Sequence, residues 1–273
     1  MPRIPLEDNF TDVLAKVQRG RHLNDVQLAA KAGLPVADIT ALQAGEVRED
    51  ALRAVARALG LGIGPLLALA RREWYPEQPI FPRGFAMFNT PYEDIMVNSY
   101  LVWDAKSGLA AAFDTGTDAR AMLDTIQGEK LTLRYIFLTH THEDHVADLA
   151  RLASTGAEVW ACEREPSDHP GARSFHENAH FHLGPVSIKT LFTWGHSPGL
   201  TTFYITGLSW PLAIVGDSLF ASSIGGSATH FAEQWQNDRE KIFRLPFDTV
   251  LACGHGPLTT LKQEKTHNPF FAR

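Results

Sequence analysis

Two cysteines, Cys162 and Cys253, are all that the 273 residues contain. One pair cannot form the disulfide framework on which small secreted domains depend, so a cytoplasmic setting is expected. Long apolar runs are missing as well. The most nearly apolar stretch, Ala58 to Ala70, is broken by Gly60, Gly62, Gly64 and Pro65. It falls short of the roughly 20 residues that a membrane-spanning helix needs. No basic segment followed by an apolar one opens the chain, and a secretory leader is not expected. Neither an internal repeat nor a low-complexity segment is present. A hydrophobic content of 44%, with 16 Phe and 6 Trp, excludes a disordered chain. Excess positive charge is also lacking. The formal net charge is −6, but residues 1–72 carry ten Lys+Arg against eight Asp+Glu, a net of +2, which leaves −8 for the remainder. Any contact with nucleic acid therefore falls to the first part. What the chain has in surplus is histidine, with 12 residues.

The length allows one or two domains, and the texture changes once along the chain. Apolar residues recur at helical spacing at Phe10, Val13, Leu14 and Val17, and again at Leu52, Val55, Ala56 and Leu59. Asn24 is placed to cap a helix through Val26, Leu28 and Ala29 that stops at Gly33. A second short helix is expected from Val36 to Ala44, ending at Gly45. Pro76, Pro79, Pro82 and Gly84 then interrupt any helical period. Residues 73–84 thus read as a linker between a small all-α domain at 1–72 and a second domain at 85–273. In the second domain, strands are expected at 95–103, 109–113, 135–139, 158–161, 186–192, 201–205, 212–215 and 249–252, with a helix over 118–127. That alternation indicates an α/β or α+β fold.

The sharpest feature follows the strand expected to end at Thr139: His140-Thr141-His142-Glu143-Asp144-His145. Several ligand side chains in the loop after a strand can converge on one point, and imidazole with carboxylate suits zinc and related first-row metals. The pattern H-x-H-x-D-H arises by chance about once in a thousand chains of this length. Further candidate ligands each follow an expected strand and adjoin glycines: His196 after Gly195, Asp217 after Gly216, and His255 between Gly254 and Gly256. Together they make seven ligands, enough for two divalent metals sharing one carboxylate. His169, His176, His180 and His182 are read as a solvated loop leading into a strand. His22, His230 and His267 are read as surface residues without partners, and Cys253 as a buried, inert thiol. Phe220, Phe231 and Trp235 could line a substrate pocket, although aromatics in such runs are usually core.

These motifs, in this order, resemble the metallo-β-lactamase superfamily over residues 85–273. The resemblance implies an αββα sandwich with a binuclear site at one edge of its sheets. His140, His142 and His196 would hold the first metal, Asp144, His145 and His255 the second, and Asp217 would bridge. Zinc is the first choice of metal, with iron or manganese as alternatives. Gly216-Asp217-Ser218-Leu219-Phe220 and the tail from Gly254 to Phe270 resemble the glyoxalase II-like thioester hydrolases. Ile224-Gly225-Gly226 departs from the arginine common in that branch, and the helical extension by which that branch holds glutathione is not expected here. The implied chemistry is attack by a metal-bridging hydroxide on a small ester or thioester, with Asp144 as the catalytic residue that orients the nucleophile. A mono-iron persulfide dioxygenase, similar to the same superfamily, is the alternative within the enzyme class.

At the amino terminus, Leu28-Ala29, Gly33, Ile39 and Leu42 fall at the spacings of a helix-turn-helix. Residues 23–45 with 52–59 resemble the Xre/Cro-type DNA-binding family. DNA-contact candidates are Thr40, Gln43 and Arg48. However, the expected outward positions Val36, Ala37, Asp38, Thr40, Ala41 and Gln43 include no Arg or Lys, whereas base readout relies on Arg, Asn or Gln. The module therefore reads either as part of a transcriptional regulator with a metabolite-sensing domain, or as a dimerisation element or a cover over the active site. The expected partners are a small ester or thioester, DNA in the regulator alternative, a second copy in a homodimer, and no membrane.

Overall fold

A computed structural model describes residues 3–272. Five helices come first: α1 (Phe10–Gly20), α2 (Asp25–Ala32), α3 (Val36–Gln43), α4 (Glu49–Leu59) and α5 (Ile63–Ala70). Their starts and stops follow local chemistry. Asn9 and Asn24 each cap a helix with a reciprocal capping box. Gly33 and Gly60 end α2 and α4 in the left-handed conformation, at φ 68° and 66°. The expected cap at Asn24 and stop at Gly33 are both observed. Ala41, expected to face outward on α3, is instead buried, because it shares a face with Leu42 and Ile39 rather than with Thr40.

Residues 71–84 form no helix or strand but are held in place. The Tyr75 hydroxyl donates to the Ile4 carbonyl at 2.7 Å, Gln78 Nε2 donates to Leu258 O at 2.8 Å, and Trp74 stacks on His267 at 4.7 Å. His267 thus has a partner that its sequence neighbours did not suggest.

The rest of the chain builds two six-stranded sheets. The first contains β1 (Phe85–Tyr92), β2 (Ile95–Trp103), β3 (Leu109–Phe113), β4 (Thr132–Phe137), β5 (Glu158–Cys162) and β6 (Arg173–Phe175) in that spatial order. It begins as an antiparallel hairpin and becomes parallel from β3 onward. Helices α6 (Arg120–Gly128), α7 (Glu143–Val146) and α8 (Leu149–Ala153) lie within its crossovers. The second sheet draws on β7 (His180–Leu183), β8 (Val186–Phe192), β9 (Thr201–Thr206), β10 (Leu212–Gly216), β13 (Val250–Cys253) and β14 (Thr259–Thr260), in the order β14-β13-β10-β9-β8-β7. A small hairpin, β11 (Leu219–Phe220) with β12 (Ser223–Ile224), and helices α9 (Phe231–Glu240) and α10 (Leu261–His267) complete the chain.

Both faces of each sheet are covered, which explains the nearly unbroken apolar strands. In β3, Ala111 and Phe113 face the inter-sheet core, and Ala110 and Ala112 face the cluster with Met122 and Ile126 of α6. In β10, Leu212 and Ile214 face inward, and Ala213 and Val215 pack against Ile242 and Leu261. Strand period two sends alternate residues to opposite layers. The architecture is a helix–sheet–sheet–helix sandwich preceded by a small helical bundle. That bundle shares its apolar core with Ile224, Phe231, Trp235 and Phe270, so Phe231 and Trp235 are core residues, while Phe220 is buried in the cluster with Ile242 and Leu261. Gly20 allows the approach, since a Cβ there would overlap the Phe231 ring.

The stretch from His169 to His182 departs from the expected loop. It contains β6 and the edge strand β7, on which His180 and His182 point outward while Leu183 is buried. Strand β1 was not expected, because Asn89 and Pro91 obscure its pattern. Among the described residues no helix is long and apolar enough to cross a membrane.

Candidate metal centre

The seven ligand candidates come from four loops at one edge of the sandwich. The loop after β4 and the short α7 carry His140, His142, Asp144 and His145. The β8–β9 loop carries His196, the end of β10 Asp217, and the end of β13 His255. The structure brings all seven together. Three groups of donor atoms lie within 4.8 Å of one another: His140–His142–His196, His140–His145–Asp217 and Asp144–His145–His255. Asp217 spans the two halves. Its Oδ2 is 3.4 Å from His196 Nε2 and 3.3 Å from His255 Nε2, while its Oδ1 is 3.3 Å from His145 Nε2. Asp144 Oδ2 lies 3.3 Å from His255 Nε2 and 3.5 Å from His145 Nε2.

Four of the five imidazoles are oriented by their other nitrogen. His145 Nδ1 donates to Asp114 Oδ2 at 2.9 Å, His196 Nδ1 to Gly226 O at 2.8 Å, and His255 Nδ1 to Met96 O at 2.8 Å. Thr139 Oγ1 donates to Asp114 Oδ2 at 2.7 Å, so it accepts from His140 Nδ1 at 3.0 Å. These partners place the proton on Nδ1 and leave the Nε2 lone pair aimed into the cluster, as metal ligation requires. His142 instead turns Nδ1 inward, 3.1 Å from His196 Nε2. Buried atoms His140 Nε2, His145 Nε2 and Asp217 Oδ1 have no partner in hydrogen-bonding geometry. Unpaired buried polar atoms are costly, and three converging on one cluster fit a metal with N and O ligands.

Electrostatics points the same way. Burial pushes His140 and His196 below the ordinary imidazole range. Burial opposes charge on His145 and His255 too, but the Asp217 carboxylate, with Asp114 for the first and Asp144 for the second, holds both upward. Asp217 is drawn well below the carboxylate range by those two histidines against its burial. The clustered carboxylates demand positive charge at their centre. His145 is fully buried, whereas His142 is exposed and His196 half-buried, so the cluster opens on the His142 side.

Glycines make the convergence sterically feasible. A Cβ at Gly254 would overlap Asp217 Oδ1 and lie 2.8 Å from His145 Cε1. Gly216, at φ 51°, passes within 2.8 Å of the Thr139 side chain by the same measure.

Two supporting residues were not identified from sequence. Asp114, a non-glycine at φ 57°, accepts from Thr139 N at 2.7 Å as well as from the Thr139 hydroxyl and His145. Glu165 accepts from Thr141 N and Oγ1 and from Gly199 N, each at 2.8 Å, and so ties the His140–His142 loop to the loop of His196. Asp114 lies in Asp114-Thr115-Gly116 at the end of a strand, a position where a site residue can be sought. No local pattern marks Glu165. His169, His176, His180 and His182 lie outside the cluster groups, and His176 pairs with Glu163 at 2.6 Å. Cys253 is buried and its thiol is pushed well up by burial.

The DNA-contact candidates are engaged within the chain. Gln43 Nε2 donates to Asp25 Oδ1 at 2.7 Å and Gln18 Oε1 at 3.1 Å. Arg48 pairs with Asp38 and Glu46 at 2.7 and 2.6 Å. The Thr40 hydroxyl donates to Val36 O at 3.3 Å.

Two covered sheets, helices on both outer faces and a His/Asp cluster at one sheet edge define a metallo-hydrolase sandwich. The profile of the metallo-beta-lactamase superfamily matches residues 92–255, more than half of the chain, and the protein belongs to that superfamily. It is 28% identical over 203 residues to the probable metallo-hydrolase YqgX of Bacillus subtilis, covering 66% of this chain and 94% of that one. It is 33% identical over 158 residues to the hydroxyacylglutathione hydrolase of Bartonella tribocorum, covering 57% of this chain but only 61% of that enzyme. The crystal structure of the BLEG-1 B3 metallo-beta-lactamase matches with a TM-score of 0.59 at 30% identity, over 69% of this chain and all of that one.

Proposed function

We propose that the protein is a binuclear metal-dependent hydrolase of a small ester or thioester, of the glyoxalase II-like kind. The observation that carries this reading is the convergence of five imidazoles and two carboxylates, four of the imidazoles with their outer nitrogen committed to a protein acceptor. In this reading His140, His142 and His196 hold one divalent cation, Asp144, His145 and His255 hold another, and Asp217 serves both. Zinc suits these donors best, and iron or manganese would use the same set. When bound, two such cations supply a water activated at neutral pH and polarise a carbonyl oxygen. Asp144, at the edge of the second group, orients the attacking water. The exposed side at His142 admits substrate, and the buried side at His145 excludes bulk water. No serine or cysteine nucleophile is called for, and Cys253 stays a core thiol. Similarity to a hydroxyacylglutathione hydrolase supports a thioester.

Residues 1–72 serve in this reading as a helical domain that covers the hydrolase at 85–273, with 73–84 as a strap between them. The internal pairing of Gln43 and Arg48 favours that role over base readout. The test is metal quantification on protein purified without chelator, followed by a panel of thioesters, lactones and phosphodiesters. About two zinc ions per chain and thioester or ester hydrolysis abolished by Asp144→Ala are expected. A single iron with oxygen consumption, or activity retained in Asp144→Ala, would refute the proposal.

A further inference from the structure

The segment before α1 brings a carboxylate, that of Glu7, close to the loop that carries His255. It runs beside the loop of His255: a Cβ built on Gly256 would lie 3.2 Å from Glu7 N, and 3.5 Å from both Glu7 Cβ and the Pro5 carbonyl. Gly256, at φ 73°, therefore permits both the turn and the close passage. The segment is anchored by the next acid along. Asp8 and Lys16 are both buried and form an ion pair. Lys16 Nζ also donates to Ile224 O at 2.8 Å and sits 4.8 Å over the Phe220 ring. That ring meets the His255 imidazole edge-on at 5.6 Å. The ammonium of Lys16 is thus committed to Asp8, a carbonyl and a ring face.

Glu7 is left over. It is partly buried and makes no hydrogen bond or ion pair with any described residue. Burial pushes its carboxyl upward, the charges of His255 and Lys16 pull it down, and those of Asp8 and Asp217 push it up. A carboxylate withdrawn from water without a partner retains its demand for a donor. At this position, a substrate group lying on the His255 side of the cluster would be well placed to meet it.

We propose that Glu7 is a specificity-determining residue, selecting substrates whose alcohol or thiol portion carries a cationic or hydrogen-bond-donating group and rejecting carboxylate-bearing ones. The inference rests on the hydrolase reading above and narrows its substrate class. One unit charge facing another across roughly 7 Å at the protein surface changes relative affinity by about tenfold or more.

Three acetyl thioesters separate the possibilities: acetylthiocholine, S-acetyl-2-mercaptoethanol and S-acetyl-3-mercaptopropionate, which are cationic, neutral and anionic. Steady-state kinetics on each is paired with equilibrium binding of the corresponding uncleavable thioethers, for the native chain, Glu7→Gln and Glu7→Lys. The expected result is a preference for the cationic over the anionic compound of about tenfold, expressed in KM and in thioether binding. That preference should vanish in Glu7→Gln and invert in Glu7→Lys, with metal content unchanged. A preference that survives both substitutions would overturn the assignment. So would loss of bound metal in Glu7→Gln, which would make Glu7 a ligand. Charge-selective thioether binding without turnover of any thioester would retain Glu7 as selector and refute the hydrolase reading instead.

Discussion

Asp114 offers the most direct test of how the centre is built. Its carboxylate takes three donors, Thr139 N, Thr139 Oγ1 and His145 Nδ1, at 2.7, 2.7 and 2.9 Å. Through Thr139 it also sets the proton on His140 Nδ1. Asparagine preserves shape and tolerates the left-handed backbone at φ 57°, so Asp114→Asn isolates the loss of acceptor capacity. Its amide nitrogen must face either the Thr139 backbone N–H or the donors Thr139 Oγ1 and His145 Nδ1. In the second placement His145 is driven to carry its proton on Nε2, the atom that should face the metal. Hydrogen bonds to a charged acceptor are worth about 1.5–3 kcal/mol, and outer partners of metal ligands typically change affinity by about 10–100-fold. The expected outcome is a loss of metal affinity in that range, about 1.4–2.7 kcal/mol, with little change in the folded structure. Competition with a chromophoric chelator measures it, and excess metal should restore much of the activity. Asp114→Ala should be worse, since it also places a Cβ-bearing residue without a helpful side chain at positive φ. An Asp114→Asn protein with unchanged metal affinity would refute the argument that this carboxylate fixes the histidine protons.

Gly254→Ala should cost bound metal, because the added Cβ overlaps Asp217 Oδ1; elemental analysis reads this, and full metal content would contradict the steric account. Lys16→Met should destabilise the chain by about 3 kcal/mol by leaving Asp8 buried and unpaired. The double variant Asp8→Asn/Lys16→Met should recover much of that in urea unfolding, and no recovery would show that packing, not charge, is lost. Glu264 is fully buried, and burial raises its carboxyl to about 7 against the three donors from Thr259, Asn268 and Ser222. Between the ordinary 4.5 and about 7 the folded chain keeps a proton that the unfolded chain has released. Stability from this group is therefore complete at low pH, falls by about 3 kcal/mol as pH rises through the window, and is flat above it. Comparing unfolding at pH 5 and pH 8 with Glu264→Gln isolates the effect, and identical slopes would contradict it.

Much of the fold could be read locally. The starts at Asn24 and the stop at Gly33 involve side chains within a few residues, and the apolar alternation of Ala110 to Phe113 already carries both layers it meets. Strand β4 illustrates the limit. The sequence suggests 135–139, but pairing with β3 and β5 runs over Thr132–Phe137; Leu138 makes one last bond to Trp160 O at 2.9 Å, and Thr139 N turns to the Asp114 side chain to start the loop of His140. Helix α9 was invisible for a different reason. Its buried face, Phe231, Gln234, Trp235 and Asp238, includes polar residues whose partners, Ser218 and Gly225, lie elsewhere in the chain.

The candidate ligands and their order were legible without any structure, since H-x-H-x-D-H and the glycine-flanked His196, Asp217 and His255 are local patterns tied to metal chemistry. Which nitrogen of each ring faces inward was not legible in this way, because it depends on the acceptors Asp114, Met96 and Gly226, which lie 30 or more residues from His145, His255 and His196, and, for His140, on Thr139 held by Asp114. The tertiary structure decided that, and also the place of the amino-terminal helices. Their core is completed by Ile224, Phe231, Trp235 and Phe270, and burial against residues so distant in the chain leaves no trace in a local pattern.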